Sequence, residues 1–299
     1  MRVEPSMTIG AKLGLWIACF LWAISFIATK VALEEVPPLT VVALRLLVSG
    51  VCFLVWFLAK GGFGSLGLRG KLRELFLLSL LGTGLHYGSQ TIGLQFTTAS
   101  NASVYAVTGP ISITLIAAIF LGEKITTRKV VGIAVALAGV LWVMGEETLT
   151  DFRFGAHVLG DALVFASIVL WAGFTVYGKK LMEERGPLEV IGLTTVLGAL
   201  WMAPVGGIEL ILSGSSLSNM QWRALLAIGF LGVTCSFLAT LLYFTALKRT
   251  ESQKVGVYLY TIPPMTYLFA DFYLGETIGV NLVLGSVLIL AGVYVTERG

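Results

Sequence analysis

Ten times along the chain, a run of about 18 to 25 mostly apolar residues is bounded by charged or turn-forming ones. A helix rises 1.5 Å per residue, so each run is long enough to cross roughly 30 Å of hydrocarbon. The runs fall at about 13–34, 38–59, 74–94, 100–121, 129–145, 159–181, 188–212, 222–247, 254–274 and 278–296. Lipid offers the backbone no hydrogen-bond partners, so spans of this kind are helices that satisfy themselves. The predicted class is therefore all-α and polytopic, with the lipid bilayer as its solvent. The balance of residues excludes a soluble globule: 57% are hydrophobic and 12% charged, with a mean hydropathy of +0.90, where a soluble domain carries roughly 25% charged residues. The first run is too long for a signal-peptide core and is followed by Lys30, Glu34, Glu35 and Pro37-Pro38 rather than a cleavage site.

Ten crossings put both termini on one side. Sixteen of the twenty Lys and Arg residues lie in the termini and the even-to-odd loops, which share that side. Only Lys30, Arg153 and Arg223 lie on the other, and Arg45 falls within the second run. The positive-inside rule then predicts a cytoplasmic (inner) membrane protein with both termini cytoplasmic. The net charge of +3 is too small to indicate a nucleic-acid partner. Cys19, Cys52 and Cys235 sit inside apolar runs as packing residues. With no metal-ligand or disulfide spacing, no metal and no cofactor are expected. Residues 173–180 nearly spell a phosphate-binding loop but end in Lys and lie in an apolar run, so no nucleotide partner is expected. Asn101-Ala102-Ser103 is a glycosylation sequon by letters only, because it opens a span.

The chain also repeats itself. Leu21-Trp22-Ala23 with Lys30 recurs as Leu170-Trp171-Ala172 with Lys179, and Pro38-Leu39 recurs as Pro187-Leu188. Further on, Val104-Tyr105, Thr108 and Pro110 match Val257-Tyr258, Thr261 and Pro263. Leu121-Gly122-Glu123 matches Leu274-Gly275-Glu276, and Leu137-Ala138-Gly139-Val140 matches Leu290-Ala291-Gly292-Val293. The ordered series predicts two five-helix units, residues 1–147 and 148–299. Because five is odd, the second enters the membrane inverted, the arrangement secondary transporters use for alternating access around a midplane site.

Two such halves, each with a proline-bearing fourth helix, Leu-Gly-Glu and a Gly/Ala-rich fifth helix, resemble the EamA-type branch of the drug/metabolite transporter superfamily. The resemblance covers nearly the whole chain. It implies ten helices, with spans 1, 3, 4, 6, 8 and 9 around a central cavity and spans 5 and 10 at the periphery. It also implies export of amino acids, other metabolites or drugs, with a small-molecule substrate as partner.

Polar residues agree with that division. Span 4 carries Asn101, Tyr105, Thr108 and Ser112 at helical spacing; span 3 carries Thr83, His86, Tyr87 and Gln90; span 8 carries Ser236, Thr240 and Tyr243; span 1 carries Trp22, Ser25 and Thr29. Spans 5 and 10 offer mainly small residues. Trp16, Trp56, Trp142, Trp201 and Trp222 read as interfacial anchors, whereas Trp22 and Trp171 are deep and are repeat mates. The candidate substrate-binding set is Trp22, His86, Gln90, Asn101, Tyr105, Trp171, Tyr177, Tyr243, Tyr258 and Tyr260. Each of these also has a plain packing role open to it. Pro110, which frees the Ala106 carbonyl, and Pro263-Pro264, which free those of Leu259 and Tyr260, are candidate gates or static kinks.

Arg45 reads as snorkelling outward or bracing the bundle, with a role toward substrate as the alternative, and Glu123 and Glu276 as favouring the dipole of the helix that follows each, with a gating role as the alternative. Asp161 and Asp271 lie toward span ends, so a mid-depth carboxylate proton relay lacks support, and facilitated diffusion and proton coupling both stay open. The expected activity is export of neutral or aromatic amino acids by alternating access, without enzymatic chemistry and with a monomer sufficient. The alternatives are a drug or other metabolite carrier and, more distantly, a membrane-embedded lipid-modifying enzyme. The last would need a carboxylate cluster or a His-acid pair, and His86 and His157 are the only histidines.

Overall fold

The computed structural model describes residues 7–59, 71–97, 99–106, 108–150, 156–274 and 280–299; the side chains of some residues within these stretches, Asn101 among them, lie outside the described set. Ten helical rods follow one another, with no strand among the described residues. They are α1 (Ile9–Leu33), α2 (Pro38–Ala59), α3 (72–96), α4 (99–121), α5 (Thr127–Thr150), α6 (Ala156–Glu184), α7 (Pro187–Leu212), α8 (Trp222–Leu247), α9 (252–274) and α10 (Val280–Glu297). Each coincides with an apolar run, and α1, α2, α6, α7 and α8 each hold a window long and apolar enough to cross a membrane.

Local chemistry sets the helix ends. The Thr8 hydroxyl accepts from the Ala11 N–H at the start of α1. Pro38 and Pro187, repeat mates, open α2 and α7 at the position where a missing N–H costs nothing. At the end of α4, Gly122 adopts φ of 65° and Glu123 N–H reaches back to the Ala117 carbonyl. That left-handed stop, which a glycine enters without strain, explains the Leu121-Gly122-Glu123 motif. Its mate around Gly275 and Glu276 lies outside the described residues.

Four rods are irregular, at matching places in the two halves. α3 contains a π-helical segment, Leu80–Leu85, and α8 contains another, Leu231–Ala239. α4 is made of Ala99–Tyr105 and Thr108–Leu121, and α9 passes through a 3₁₀ turn at Val257–Thr261. The Thr108 hydroxyl donates to the Tyr105 carbonyl at 2.7 Å, and that of its mate Thr261 donates to the Tyr258 carbonyl at 2.7 Å. The carbonyls of Ala106 and Leu259, left without N–H partners by Pro110 and Pro263, are taken up locally by Gly109 and Ile262. These prolines thus sit beside tightened turns, and the polar stripe expected along span 4 crosses a break rather than one continuous face.

Packing repeats the same order. α5 lies on α10, α2 on α7 and α4 on α9; α1 meets α8 and α9 as α6 meets α3 and α4; α2 meets α8 as α7 meets α3. Each pairing maps onto another, or onto itself, when helix n is exchanged with helix n + 5. The α5–α10 crossing is tight because both sides are glycine. A Cβ on Gly292 would stand 2.5 Å from the Ala136 nitrogen and the Gly132 carbonyl, and one on Gly139 would stand 2.7 Å from the Gly285 carbonyl. Backbone contact of this closeness is how helices associate where apolar burial gives no advantage over lipid. Trp201 belongs to the interior rather than to an interfacial belt: midway along α7 it donates to Ser79 Oγ at 3.3 Å, and its ring occupies the space beside Gly84.

Candidate functional site

A cavity lies between α1, α2, α3, α4, α6 and α9, walled mostly by apolar and aromatic side chains with a few polar groups, the composition of small-molecule sites. Its walls are Trp22, Ser25 and Phe26 of α1, Arg45 of α2, His86, Tyr87 and Gln90 of α3, Ala106 and Gly109 of α4, Ile168 and Trp171 of α6, and Leu259 and Ile262 of α9. Counted along their helices, these residues lie at mid-depth or toward the end of the bundle away from the lysine- and arginine-rich loops. That end is termed the far end, and the other the basic end. α2 takes the place expected of α8. The reason is a bond from Trp22 Nε1 to the Cys235 carbonyl within the α8 π segment, at 3.3 Å, which sets the Trp22 indole between α8 and the cavity.

Of the residues singled out in the sequence, Trp22, His86, Gln90 and Trp171 meet here. The other tyrosines stand elsewhere. Tyr105 turns its hydroxyl to Asp161 of α6. Tyr177 follows Trp171 by six residues, about 240° round the helix, and is 38% exposed. Tyr258 packs edge-on against Trp16 and donates to Glu297. Tyr260 is fully buried and its hydroxyl makes no hydrogen bond. Tyr243 is also fully buried and lies one layer toward the basic end, its ring 5.2 Å from Trp22, 5.9 Å from Trp171 and 5.5 Å from Phe244. With Phe174 it makes an aromatic plug beneath the Trp22–Trp171 pair, whose rings meet at 5.3 Å. The Asn101 side chain lies outside the described residues. Pro110 follows the cavity residue Gly109, and Pro263-Pro264 follow Ile262.

His86 occupies the first position after the π segment, where its N–H bonds the Leu81 carbonyl five residues back. Its Nδ1 lies 2.8 Å from the Ser167 carbonyl. A carbonyl only accepts, so Nδ1 carries the proton and Nε2 of the neutral ring is an acceptor. Arg45 does not snorkel: it turns inward and braces α2 against α8 and α3, being 2% exposed, with its Nε donating to Ser236 Oγ at 3.0 Å and its guanidinium carbon 4.0 Å over the Tyr87 ring. The signal that marked it was a lone unduplicated charge inside a span, with Thr194 in the corresponding place. Ser25 and Tyr87 were marked by the polar stripes of spans 1 and 3, whereas Phe26 and Gly109 carried no signal that separates them from other apolar and small residues.

At the basic end the halves are tied together. Glu123 accepts from Lys179 Nζ at 2.7 Å, from the Ser252 N–H at 2.9 Å and from Ser252 Oγ at 2.8 Å. Its carboxylate therefore serves the N-terminus of α9, across the bundle, and not the helix that follows it in sequence. Burial pushes this carboxyl upward, but Lys179 and Ser252 outweigh it and hold it below the ordinary glutamate value. Lys129 Nζ bonds Glu251 at 2.8 Å and the Lys124 carbonyl at 2.9 Å, and Lys12 and Tyr258 both bond Glu297. No His, Cys, Asp and Glu cluster able to hold a metal occurs among the described residues.

Comparison with known proteins agrees with this architecture. The chain matches the EamA-like transporter family twice, over residues 9–145 and 158–298. It is 29% identical over 283 residues to an uncharacterized transporter of Archaeoglobus fulgidus, covering 94% of this chain and 95% of that one. It is 27% identical over 292 residues to a probable amino-acid metabolite efflux pump of Escherichia coli, covering 93% and 91%. A solved crystal structure superposes with a TM-score of 0.78 at 21% identity over 96% of both chains, and so shares the fold. The chain belongs to the EamA-like transporter family: it is a membrane transporter, not an enzyme, built of two repeats of five helices.

Proposed function

We propose that this member of the EamA-like family exports small zwitterionic metabolites, neutral and aromatic amino acids first among them, from the cytoplasm by alternating access. The observation that carries the reading is the asymmetry of the bundle along its axis. The aromatic-walled cavity occupies the far half, while the plug and the Glu123–Lys179–Ser252 cluster close the basic half. With the basic end in the cytoplasm, this is an outward-facing state of an exporter. Residues 1–147 and 148–299 are then the two inverted units, and one copy of the chain suffices.

The matched irregularities supply the moving parts. π segments and 3₁₀ turns are low-cost places to change register, and they occur at corresponding depths in both halves. The buried, unbonded hydroxyl of Tyr243 lies on the basic-end side of the cavity and that of Tyr260 at the level of the lining residues Leu259 and Ile262, and an inward-facing state would give both water or substrate. Aromatic walls receive an apolar side chain, and Gln90, His86 and Ser25 supply neutral hydrogen-bonding groups. The amino-acid assignment draws on the relative named for amino-acid metabolite efflux.

The test is a melting-temperature panel of amino acids, other metabolites and drugs on purified protein, followed by flux in liposomes. Stabilisation and flux with amino acids are expected, together with raised tolerance of expressing cells to toxic amino-acid analogues. Stabilisation by drugs alone would replace the assignment with the drug-carrier reading.

A further inference from the structure

We infer that Arg45 is the anion anchor of the central cavity: it binds the carboxylate of the transported molecule end-on, which makes the substrate class a carboxylate attached to an apolar body. The inference deepens the reading of the cavity as the transport site and rests on it. Arg45 lines the cavity yet is 2% exposed, and an arginine does not shed its proton to escape burial. A buried charge needs a counter-charge, and no described carboxylate supplies one. Of the described carboxylates in the same half, Glu34 is exposed, Glu35 accepts from the Gln221 N–H, Glu209 accepts from Thr40, and Asp161 stands beside the Tyr105 hydroxyl.

The two partners that Arg45 does have hold it in place without neutralising it. Ser236 takes Nε at 3.0 Å and the Tyr87 face sits 4.0 Å from the guanidinium carbon, which fixes the plane of the fork. Among the described residues nothing accepts from the two terminal NH2 groups. That pair of parallel donors matches the two oxygens of a carboxylate. His86 Nε2 and the Gln90 side chain are acceptors on the same cavity wall, suited to an ammonium group. Trp22, Phe26, Ile168 and Trp171 receive the apolar remainder. Because Thr194 stands where the repeat would put a second arginine, the nearly symmetric bundle binds its substrate in one orientation only.

The experiment uses the full-length protein and three matched probes: tryptophan, tryptamine, which lacks the carboxylate, and indole-3-propionate, which lacks the ammonium. Binding is read by melting temperature and transport by liposome flux. Wild type is expected to bind and carry tryptophan and indole-3-propionate and to ignore tryptamine. Arg45→Gln is expected to weaken binding of both carboxylates about tenfold or more, without lowering the melting temperature of the empty protein, because it removes an uncompensated buried charge. Arg45→Lys keeps the charge but loses the fork and should fall between.

Each remaining outcome has one meaning. If Arg45→Gln binds tryptophan as wild type does, or if wild type takes tryptamine as well as tryptophan, the anchor is refuted and amino-acid transport stands. If wild type carries indole-3-propionate but no amino acid, the anchor stands and the amino-acid assignment falls. If wild type binds neither carboxylate, both fall.

Discussion

Glu123→Gln tests whether the basic-end cluster is a closure or ordinary surface chemistry. Glutamine keeps an acceptor oxygen but loses the charge that draws in Lys179 Nζ at 2.7 Å and the two Ser252 donors at 2.9 and 2.8 Å. Hydrogen bonds to a charged group contribute about 1.5–3 kcal/mol each. The sum is discounted because the pair lies near water, with side chains 9% and 14% exposed, and because Lys179 keeps the Thr250 carbonyl at 2.7 Å. A loss of about 2–3 kcal/mol of closure is expected, which moves the closed-to-open ratio roughly 30- to 150-fold. Spin labels at Ile125 and Arg249, both exposed, read the gap directly: the substitution should populate a longer distance absent from wild type. The sign with pH follows from a carboxyl held below its ordinary value. Closure is full above the usual carboxylate range and is lost as pH falls through the depressed value, so acidified wild type should resemble Glu123→Gln and the variant should show no such step. An unchanged distance distribution, with or without a drop in melting temperature, would refute the gate.

Three further outcomes are expected. Gly292→Ala places a Cβ 2.5 Å from backbone of α5 and should cost about 1–3 kcal/mol by overpacking, whereas Gly207→Ala, with nothing within 4 Å, should be neutral or stabilise α7 by up to about 1 kcal/mol; equal melting temperatures would remove the crossing as a determinant. Trp171→Ala, at a site 7% exposed and in contact with Trp22, His86, Phe174, Tyr243 and Phe244, should lose about 3–5 kcal/mol of stability along with flux, while Trp171→Phe should recover most of the stability; a fully stable Trp171→Ala contradicts the packing described. In a cysteine-free background, a cysteine at position 223 should react from outside intact cells and one at position 298 should not, and the reverse pattern overturns the orientation.

The span positions were legible because they depend on hydropathy summed over many residues, and all ten rods lie where the apolar runs predict. The tyrosines were not, because their placement depends on angle. A π segment adds a residue to the turn, so the face carrying Ser236, Thr240 and Tyr243 cannot be followed across Leu231–Ala239 with a 3.6-residue period: Ser236 meets Arg45, Thr240 Oγ1 donates back to the Cys235 carbonyl at 3.0 Å, and Tyr243 joins the plug. Tyr258 was set by a partner 39 residues away, Glu297, which no local pattern announces. Arg45 was visible as an anomaly, but its direction was not, since an arginine can reach outward or inward from the same backbone position and only the tertiary neighbours Tyr87 and Ser236 decide it.

The α5–α10 crossing also sets a schedule for synthesis. The glycine face of α5 fits one partner, α10, whose matching glycine, Gly292, is made 153 residues after Gly139. At about 5–20 residues per second, a ribosome leaves that face bare for roughly 8–30 seconds. During that interval the nascent first half presents the same close-packing groove to every neighbour in the bilayer, including the α10 of a finished copy. A neighbour's α10 has the same sequence and fits the groove as the native one does, so the error that biogenesis must outrun is an exchanged pair.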